Sequence, residues 1–306
     1  MDVGSFQIWF LSLTPTGIPF PPVTADVLLS CLPFVKLPNS PLAGGPAEIH
    51  YRTYGSGFPL IFLHGGWGYE IYPLAEPETA MPSMRVIIPD RSGYGRSTKN
   101  AIFNADFHRL AAEETVAFCE ALNLRRCIFW GHSDGAVIAA WIGLMAKEQR
   151  PNLKTDGLIL EALHYYRVKP HSMDFFSGLA ETPDSLGEHT ISVLAADHGE
   201  AHWRSAVQGD CRAWIEIARA SGSSGPDLYS GRLTEITEPV AIVHGECDPR
   251  TEPGELDQIR RELPAAQVHI ISGAEHSPHS GRSSYEECSR VVRQIVAGWL
   301  RESSLA

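Results

Sequence analysis

Short apolar runs alternate with amphipathic stretches along most of the chain. The runs hold three to five residues and are separated by glycine, proline or charged residues: Leu60–Leu63, Arg85–Pro89, Cys127–Trp130, Leu158–Leu160, Val240–Val243 and Val268–Ile271. Between them, apolar residues recur at helical spacing in Asp106–Leu122, Ser133–Ala146, Glu252–Leu263 and Tyr285–Leu300. Strand-length runs that alternate with helices are typical of a parallel sheet covered on both faces. The pattern therefore predicts an α/β fold with a mostly parallel, doubly wound sheet.

This pattern starts late in the chain and is interrupted once. Residues 1–47 have eight prolines in the first 46 positions and no periodicity, which predicts a Pro-rich extension with a short helix at Ala25–Val35. Residues 164–232 are rich in His, Trp, Ser and Gly and contain no strand-like run, so we predict a helical cap there. The α/β core then consists of residues 48–163 and 233–306.

Composition narrows the class of protein without naming a substrate. The net charge of −11 disfavours nucleic acid and anionic membrane surfaces as partners. No stretch reaches the ~18 apolar residues of a membrane helix, and the N-terminus does not resemble a secretory signal, so we expect a cytoplasmic protein. The six cysteines form no CxxC pair, which predicts reduced thiols, and we expect Cys247 to be packed inside.

The strongest chemical signal is the motif Gly131-His132-Ser133-Asp134-Gly135. It follows one apolar run and opens an apolar helix, which is the strand–turn–helix setting that a nucleophilic serine requires. Such a turn is so tight that the residues two before and two after the serine lack a Cβ atom. Ser133 is therefore the predicted nucleophile.

A serine hydroxyl needs a base, and the base needs a carboxylate that holds its tautomer. His276 lies just past the run Val268–Ile271, and it is preferred to His279 because of its place in a Gly-Xaa-Xaa-His turn. Asp248 follows the preceding strand and is the predicted acid, with Glu161 as the fallback. The order Ser, Asp, His is the one expected when the nucleophile sits on such a turn.

An oxyanion also needs two N–H donors. The backbone N–H of Asp134, directly after the nucleophile, is one predicted donor. The other is expected from the loop His64–Gly68, where Gly66 is favoured and Trp67 is the alternative.

Together these segments resemble the α/β-hydrolase superfamily, from about residue 48 to residue 306. The resemblance rests on five motifs: His64-Gly65-Gly66, the segment Asp90–Ser97, Gly131–Gly135, the segment His244–Pro249, and His276. The Asp after the nucleophile and the run His198–Trp203 resemble the branch that contains valacyclovir-hydrolase-like esterases. The resemblance implies the α/β-hydrolase fold with a helical cap, and no cofactor.

Our leading hypothesis is a serine hydrolase that cleaves a small carboxylic ester through an acyl-enzyme. The same three residues also serve amide, thioester and carbon–carbon cleavage in other proteins of this fold, and a binding protein on the same shell is the alternative of another class. We expect a small-molecule ester as partner, and the sequence gives no oligomeric state.

Three further residue sets have two interpretations each. The Asp134 carboxylate either has an internal partner or pairs with a substrate ammonium. The cap aromatics, Trp203 and Trp214 among them, either line the pocket or pack inside the cap, and Trp203 is the predicted substrate contact. His198 and His202 share the spacing of metal ligands, but no third ligand completes a set, so we predict cap packing and no metal site.

Overall fold

A computed structural model of the chain describes residues 33–149 and 153–305. Within them, eight strands form one sheet in the order β1-β2-β4-β3-β5-β6-β7-β8. Strand β2 is antiparallel to β1 and β4, and the other neighbours are parallel. The strands are β1 (Phe34–Ser40), β2 (Gly45–Tyr54), β3 (Phe58–Leu63), β4 (Met84–Pro89), β5 (Arg126–His132), β6 (Lys154–Glu161), β7 (Val240–Gly245) and β8 (Gln267–Ile271). The predicted α/β fold with a mostly parallel sheet is confirmed.

Helices cover both faces of this sheet, which is why its inner strands read as continuous apolar runs. Helices α2 and α3 pack on one face and α9 on the other. In the described part of the chain, no helix is long and apolar enough to span a membrane. The helices are α1 (Pro77–Ala80), α2 (Phe107–Ala121), α3 (Asp134–Gln149), α4 (Pro170–Glu181), α5 (Glu188–His198), α6 (Trp203–Arg219), α7 (Ser221–Ser224), α8 (Glu255–Glu262) and α9 (Tyr285–Leu305), with short 3₁₀ turns at Tyr69–Ile71, Pro183–Ser185 and Leu233–Glu235.

The sheet begins earlier than the predicted extension 1–47 allows. Strand β1 lies inside that range, and Val35 and Leu37 are buried while alternate residues face outward. The alternation was not recognised because a proline such as Pro38 argues against a strand. Proline is tolerated at the edge of a sheet, which is where β1 lies. The predicted boundary at residue 48 is therefore wrong. Residues 25–32 of the helix predicted for Ala25–Val35 fall outside the described residues. Its last residues are not helical, because Phe34 and Val35 belong to β1.

The segment between β6 and β7 is helical, as its composition suggested. It contains α4 to α7, and α4 packs against α6. An isolated bridge between Tyr166 and Asp227 joins the two ends of the segment. The helices therefore form one insertion that leaves the sheet after β6 and returns before β7.

Four of the five described cysteines are buried and all five are free thiols. Cys247 is the exception, because it is exposed on the turn after β7. The expectation that Cys247 is packed inside is wrong, since its N–H binds the carbonyl of Ala274 and that turn lies at the surface.

Candidate active site

Ser133 sits on the sharp turn between β5 and α3, with a left-handed φ of 55°. A Cβ atom at Gly131 would lie 2.0 Å from the carbonyl oxygen of Gly135, and a Cβ atom at Gly135 would lie 2.0 Å from that of Leu63 in β3. The first contact is the crowding within the motif that we predicted, and the second shows that the turn also presses on the neighbouring strand. The glycines are therefore what lets Ser133 adopt this conformation at the carboxyl edge of the sheet.

A continuous hydrogen-bond chain joins the three residues of the predicted triad. Ser133 Oγ lies 3.0 Å from His276 Nε2, and His276 Nδ1 lies 3.0 Å from both carboxylate oxygens of Asp248. Burial by itself would raise the pKa of Asp248, but His276 and the Arg250 N–H bond its carboxylate and lower that pKa to about 2. Asp248 is therefore an anion that can orient His276 and stabilise its positive charge.

The two rival residues, His279 and Glu161, bind each other instead. His279 Nδ1 lies 2.8 Å from Glu161 Oε1, and Trp130 Nε1–H donates to the other oxygen of Glu161 at 2.8 Å. Both side chains of the pair are fully buried. His279 Nε2 lies 2.9 Å from the carbonyl of Tyr72, so neither ring nitrogen of His279 faces Ser133.

The glycine-rich loop after β3 lies against the nucleophile, and buried side chains fix its course. The guanidinium of Arg91 donates to the carbonyls of His64 and Gly65 at 2.5 and 2.8 Å. A Cβ atom on Gly66 would lie 2.9 Å from Asp210 Oδ2 and 3.2 Å from Asp134 Oδ2, so a side chain there would have to displace these carboxylates. Among the described residues, no hydrogen bond occupies the backbone N–H of Gly66, Trp67 or Asp134. These N–H groups are therefore available to a bound oxygen.

His198 and His202 bind this core from the inserted helices. His198 Nδ1 accepts the N–H of Gly95 at 2.7 Å, and its Nε2 lies 2.8 Å from the carbonyl of Trp67, which has a left-handed φ of 67°. His202 Nε2 lies 3.0 Å from the carbonyl of Gly93. Burial is the main reason that the pKa of His198 is lowered to about 4, and its ring is therefore neutral at neutral pH. The two rings therefore connect the insertion to the core loops. Within the described residues, no group of three metal-ligating side chains is present.

A cleft opens above Ser133, between the sheet edge and helices α4 and α6. Gly66 and Trp67 line it, and Trp67 stacks on Phe175 with ring centroids 5.6 Å apart. Its remaining walls mix apolar and charged side chains: Tyr72, Asp134, His164, Lys169, Ser172, Phe176, Asp210, Trp214, Arg250 and His276. Of the predicted site residues, the cleft is lined by all but Trp203 and Asp248, and Asp248 contacts the cleft residue His276.

Trp203 is not a lining residue, and its predicted role as a substrate contact is wrong. It is fully buried at the start of α6, where the guanidinium of Arg204 lies 4.3 Å from its ring centroid. Trp214 lines the cleft in its place. Eleven residues are about three helical turns, or ~16 Å, so both rings share one face of α6 but only the later one lines the cleft.

The Asp134 carboxylate faces both the protein and the cleft. Its Oδ1 accepts hydrogen bonds from His108 Nε2 and Trp214 Nε1, both at 3.1 Å, so internal partners exist as one interpretation expected. Its Oδ2 lies on the side of Asp210, whose carboxyl group is its hydrogen-bond partner when the pair holds a proton. Burial and the Asp134 charge raise the pKa of Asp210, whereas His108 offsets burial and lowers the pKa of Asp134 to about 2. The pair therefore shares one proton and keeps one negative charge at neutral pH.

Sequence reasoning missed Asp210 and His164. Asp210 occupies a position of the apolar stripe of α6, between Val207 and Trp214, and a charge at such a position is the signal that could have found it. His164 follows β6 by three residues, at the sheet edge where Ser133 was already expected. Its Nε2 lies 3.4 Å from Ser133 Oγ.

Known proteins resemble this chain over most of its length. The model of the α/β-hydrolase family matches residues 60–291. The serine hydrolase BPHL of Homo sapiens is 23% identical over 252 residues, which cover 79% of this chain and 81% of the relative. A pimeloyl-(acyl-carrier protein) methyl ester esterase of Nitrosomonas europaea is 24% identical over 257 residues, which cover 76% and 94%. The solved structure of a thermophilic esterase from Thermogutta terrifontis superposes with a TM-score of 0.60 at 22% identity, covering 88% and 98% of the two chains.

These matches confirm that the motifs resemble the α/β-hydrolase superfamily. The presence of BPHL among the relatives also agrees with the resemblance to valacyclovir-hydrolase-like esterases. The family match contains both the serine turn and the strand that precedes His276. The chain belongs to the α/β-hydrolase family, and it is a hydrolase.

Proposed function

We propose that this hydrolase cleaves a small carboxylic ester through an acyl-enzyme formed on Ser133. The observation that carries the proposal is the unbroken chain from Asp248 through His276 to Ser133 Oγ, with each link at 3.0 Å. A hydroxyl in hydrogen bond with a neutral imidazole, itself held by a buried carboxylate, can lose its proton as it attacks a carbonyl carbon.

The reaction then follows from the positions of these groups. Ser133 Oγ bonds to the carbonyl carbon while its proton moves to His276 Nε2, and the carbonyl oxygen becomes an oxyanion. When the tetrahedral intermediate collapses, the bond to the alcohol oxygen breaks and that oxygen takes the proton from His276. Water repeats the sequence on the acyl-enzyme, so that the acid leaves and Ser133 regains its proton.

The oxyanion is bound by two backbone N–H groups in this proposal. Asp134 directly follows the nucleophile at the start of α3, and Gly66 lies in the loop that the Arg91 guanidinium clamps. Trp67, next along the same loop, is the alternative donor. Fixed N–H donors stabilise the transition state because they need no reorganisation when the negative charge develops.

One feature favours an ester as substrate, and a second favours a positively charged group on it. One relative of this chain is named as an esterase that acts on a methyl ester. The cleft offers aromatic walls from Phe175, Phe176 and Trp214, and a shared negative charge at Asp134 and Asp210. The Asp134–Asp210 pair keeps one negative charge in a buried part of the cleft, and a bound cation would offset the cost of burying that charge. We therefore propose that Asp134 binds the ammonium group of an α-amino-acid ester.

The test is hydrolysis of p-nitrophenyl acetate by the wild type and by Ser133→Ala. Triad serines contribute up to ~10⁶ in turnover, so the variant should lose nearly all activity while keeping its fold. Ser205→Ala, which removes an exposed hydroxyl on α6, is the control and should keep the full rate. A Ser133→Ala enzyme that keeps a tenth of the wild-type rate would refute the role of Ser133.

A substrate panel decides between the bond types. If the enzyme cleaves a p-nitroanilide or a thioester but no ester, the proposed substrate class changes to an amide or a thioester, and Ser133 remains the proposed nucleophile. Absence of turnover on every substrate, with ligands still bound, would favour a binding protein on this fold.

A further inference from the structure

A second imidazole contacts the nucleophile. His164 Nε2 lies 3.4 Å from Ser133 Oγ, and its ring stacks on that of His276 with centroids 5.7 Å apart and planes at 16°. Behind it, Lys169 Nζ lies 3.0 Å from His164 Nδ1 and 2.6 Å from Glu255 Oε2. All three side chains are buried, and neither the triad nor the oxyanion donors use them.

The partners of Glu255 determine which atoms of this chain carry protons. Its two carboxylate oxygens accept four donors, which are the N–H groups of Tyr165, Tyr166 and Glu252 and the ammonium of Lys169. Four donors and no acceptor leave no place for a proton on this carboxyl group. Burial lowers the pKa of Lys169 and Glu255 opposes that effect, so their 2.6 Å contact joins a carboxylate to an ammonium.

The ammonium in turn selects the tautomer of His164. An ammonium has three protons and no lone pair, so it donates to His164 Nδ1. Burial, then Lys169 and His276, hold the pKa of His164 well below its usual range, so the ring is neutral. Its single proton is therefore on Nε2, which faces Ser133.

We propose that His164 is a second catalytic histidine, a neutral hydrogen-bond donor from Nε2 to Ser133 Oγ whose tautomer is fixed by Lys169 and Glu255. This inference rests on the proposed function of Ser133. A protonated Nε2 cannot accept the serine proton, so the hydroxyl of Ser133 points its proton to His276. As that proton leaves, the hydrogen bond from His164 stabilises the negative charge on Oγ, and it does so again when Oγ is expelled in deacylation. His164 keeps its own proton throughout.

A purely structural role explains only part of this arrangement. The Lys169–Glu255 pair connects the start of α4 to α8, and this contact needs no imidazole. The imidazole lies between the lysine and the nucleophile, where it lines the cleft. The charged or titratable groups that act on it are Lys169, His276, Arg250 and His108.

The first test measures the tautomer by NMR, from correlations between ring nitrogens and ring protons of ¹⁵N-labelled histidine at neutral pH. We expect His164 to have its proton on Nε2 and a bare Nδ1, and we expect Lys169→Met to change the Nδ1 signal. The signal is assigned by its loss in His164→Gln. A proton on Nδ1, or a charged ring, would overturn the proposal.

The second test compares His164→Leu, which has no donor, with His164→Gln, whose amide nitrogen replaces Nε2. Removal of one catalytic donor costs ~10²–10³ in turnover elsewhere, and for this longer bond we expect about a 10- to 100-fold lower kcat in His164→Leu with KM nearly unchanged. His164→Gln should recover most of kcat. Equal losses in both variants, or a change in KM alone, would refute a catalytic donor.

The two tests separate this inference from the function on which it rests. The NMR measurement uses no substrate and reads the tautomer in the intact protein. A wild type that hydrolyses no ester would refute the proposed function, whereas a wild type that hydrolyses esters with the other tautomer of His164 would refute only the inference.

Discussion

The proposed ammonium site predicts that Asp134→Asn reduces the selectivity for amino esters. Asparagine has the shape of aspartate, and its Oδ1 can keep the hydrogen bonds from His108 and Trp214. Its amide group takes the place of Oδ2 and can donate to Asp210. The substitution therefore removes a negative charge from the cleft without emptying the position.

The expected magnitude follows from the charge of the pair. A carboxylate ~4 Å from an ammonium, at an effective dielectric of ~20, attracts it by about 4 kcal/mol before desolvation is subtracted. A net gain of about 1 to 2 kcal/mol corresponds to a selectivity of roughly 5- to 30-fold. Because the pKa of Asp210 is raised mainly by burial and then by Asp134, Asp210 holds the shared proton. Asp210→Asn therefore leaves the charge in place and is the matched control.

The assay compares kcat/KM for an α-amino-acid ester and for its des-amino analogue in the three proteins. The wild type and Asp210→Asn should prefer the amino ester, and Asp134→Asn should lose most of that preference. The reasoning is refuted if the wild type shows no preference, or if Asp134→Asn lowers both substrates by the same factor.

Three other outcomes are expected. His276→Ala should abolish ester hydrolysis. His279→Ala removes the imidazole that binds Glu161 Oε1, so it should cost about 1–3 kcal/mol of stability but keep kcat of the folded protein. Equal losses of kcat in the two variants would contradict this. The pKa of Asp248 is about 2 against an ordinary 3.8, so its charge contributes about 2 kcal/mol of stability that is present above pH ~4 and lost as pH falls through ~2. In urea unfolding, the difference in unfolding free energy between the wild type and Asp248→Asn should therefore shrink in that pH window. A difference that stays constant with pH would be contrary evidence. Removal of residues 1–40 should lower the melting temperature because it deletes β1, and an unchanged melting temperature would mean that β1 adds nothing to the sheet.

The sheet and the catalytic residues Ser133, Asp248 and His276 were predictable from the sequence, because each depends on a short apolar run and the residues that directly follow it. Inner parallel strands are buried on both faces, so β3, β5 and β7 read as apolar runs. Parallel strands end at one edge, which brought Ser133, Asp248 and His276 together before any distance was known.

Features that depend on packing between distant segments were not predictable in this way. Among the described strands, β1 has a neighbour on one side only, and it contains Pro38, so its alternation was too weak to recognise. The choice between Trp203 and Trp214 depends on which end of α6 lies over the nucleophile, and periodicity gives the face of a helix but not its placement. His164 acquires its meaning only from Lys169 and Glu255, which are 86 residues apart in the chain.

The central claim is that Ser133 is a nucleophile activated for acyl transfer. Its most direct measurement is the mass of the protein after treatment with a fluorophosphonate, followed by mapping of the labelled peptide. One equivalent of label on Ser133 in the wild type, with none on Ser133→Ala and greatly slowed labelling of His276→Ala, is the predicted result. An unlabelled wild type, or label on a residue other than Ser133, would contradict the account.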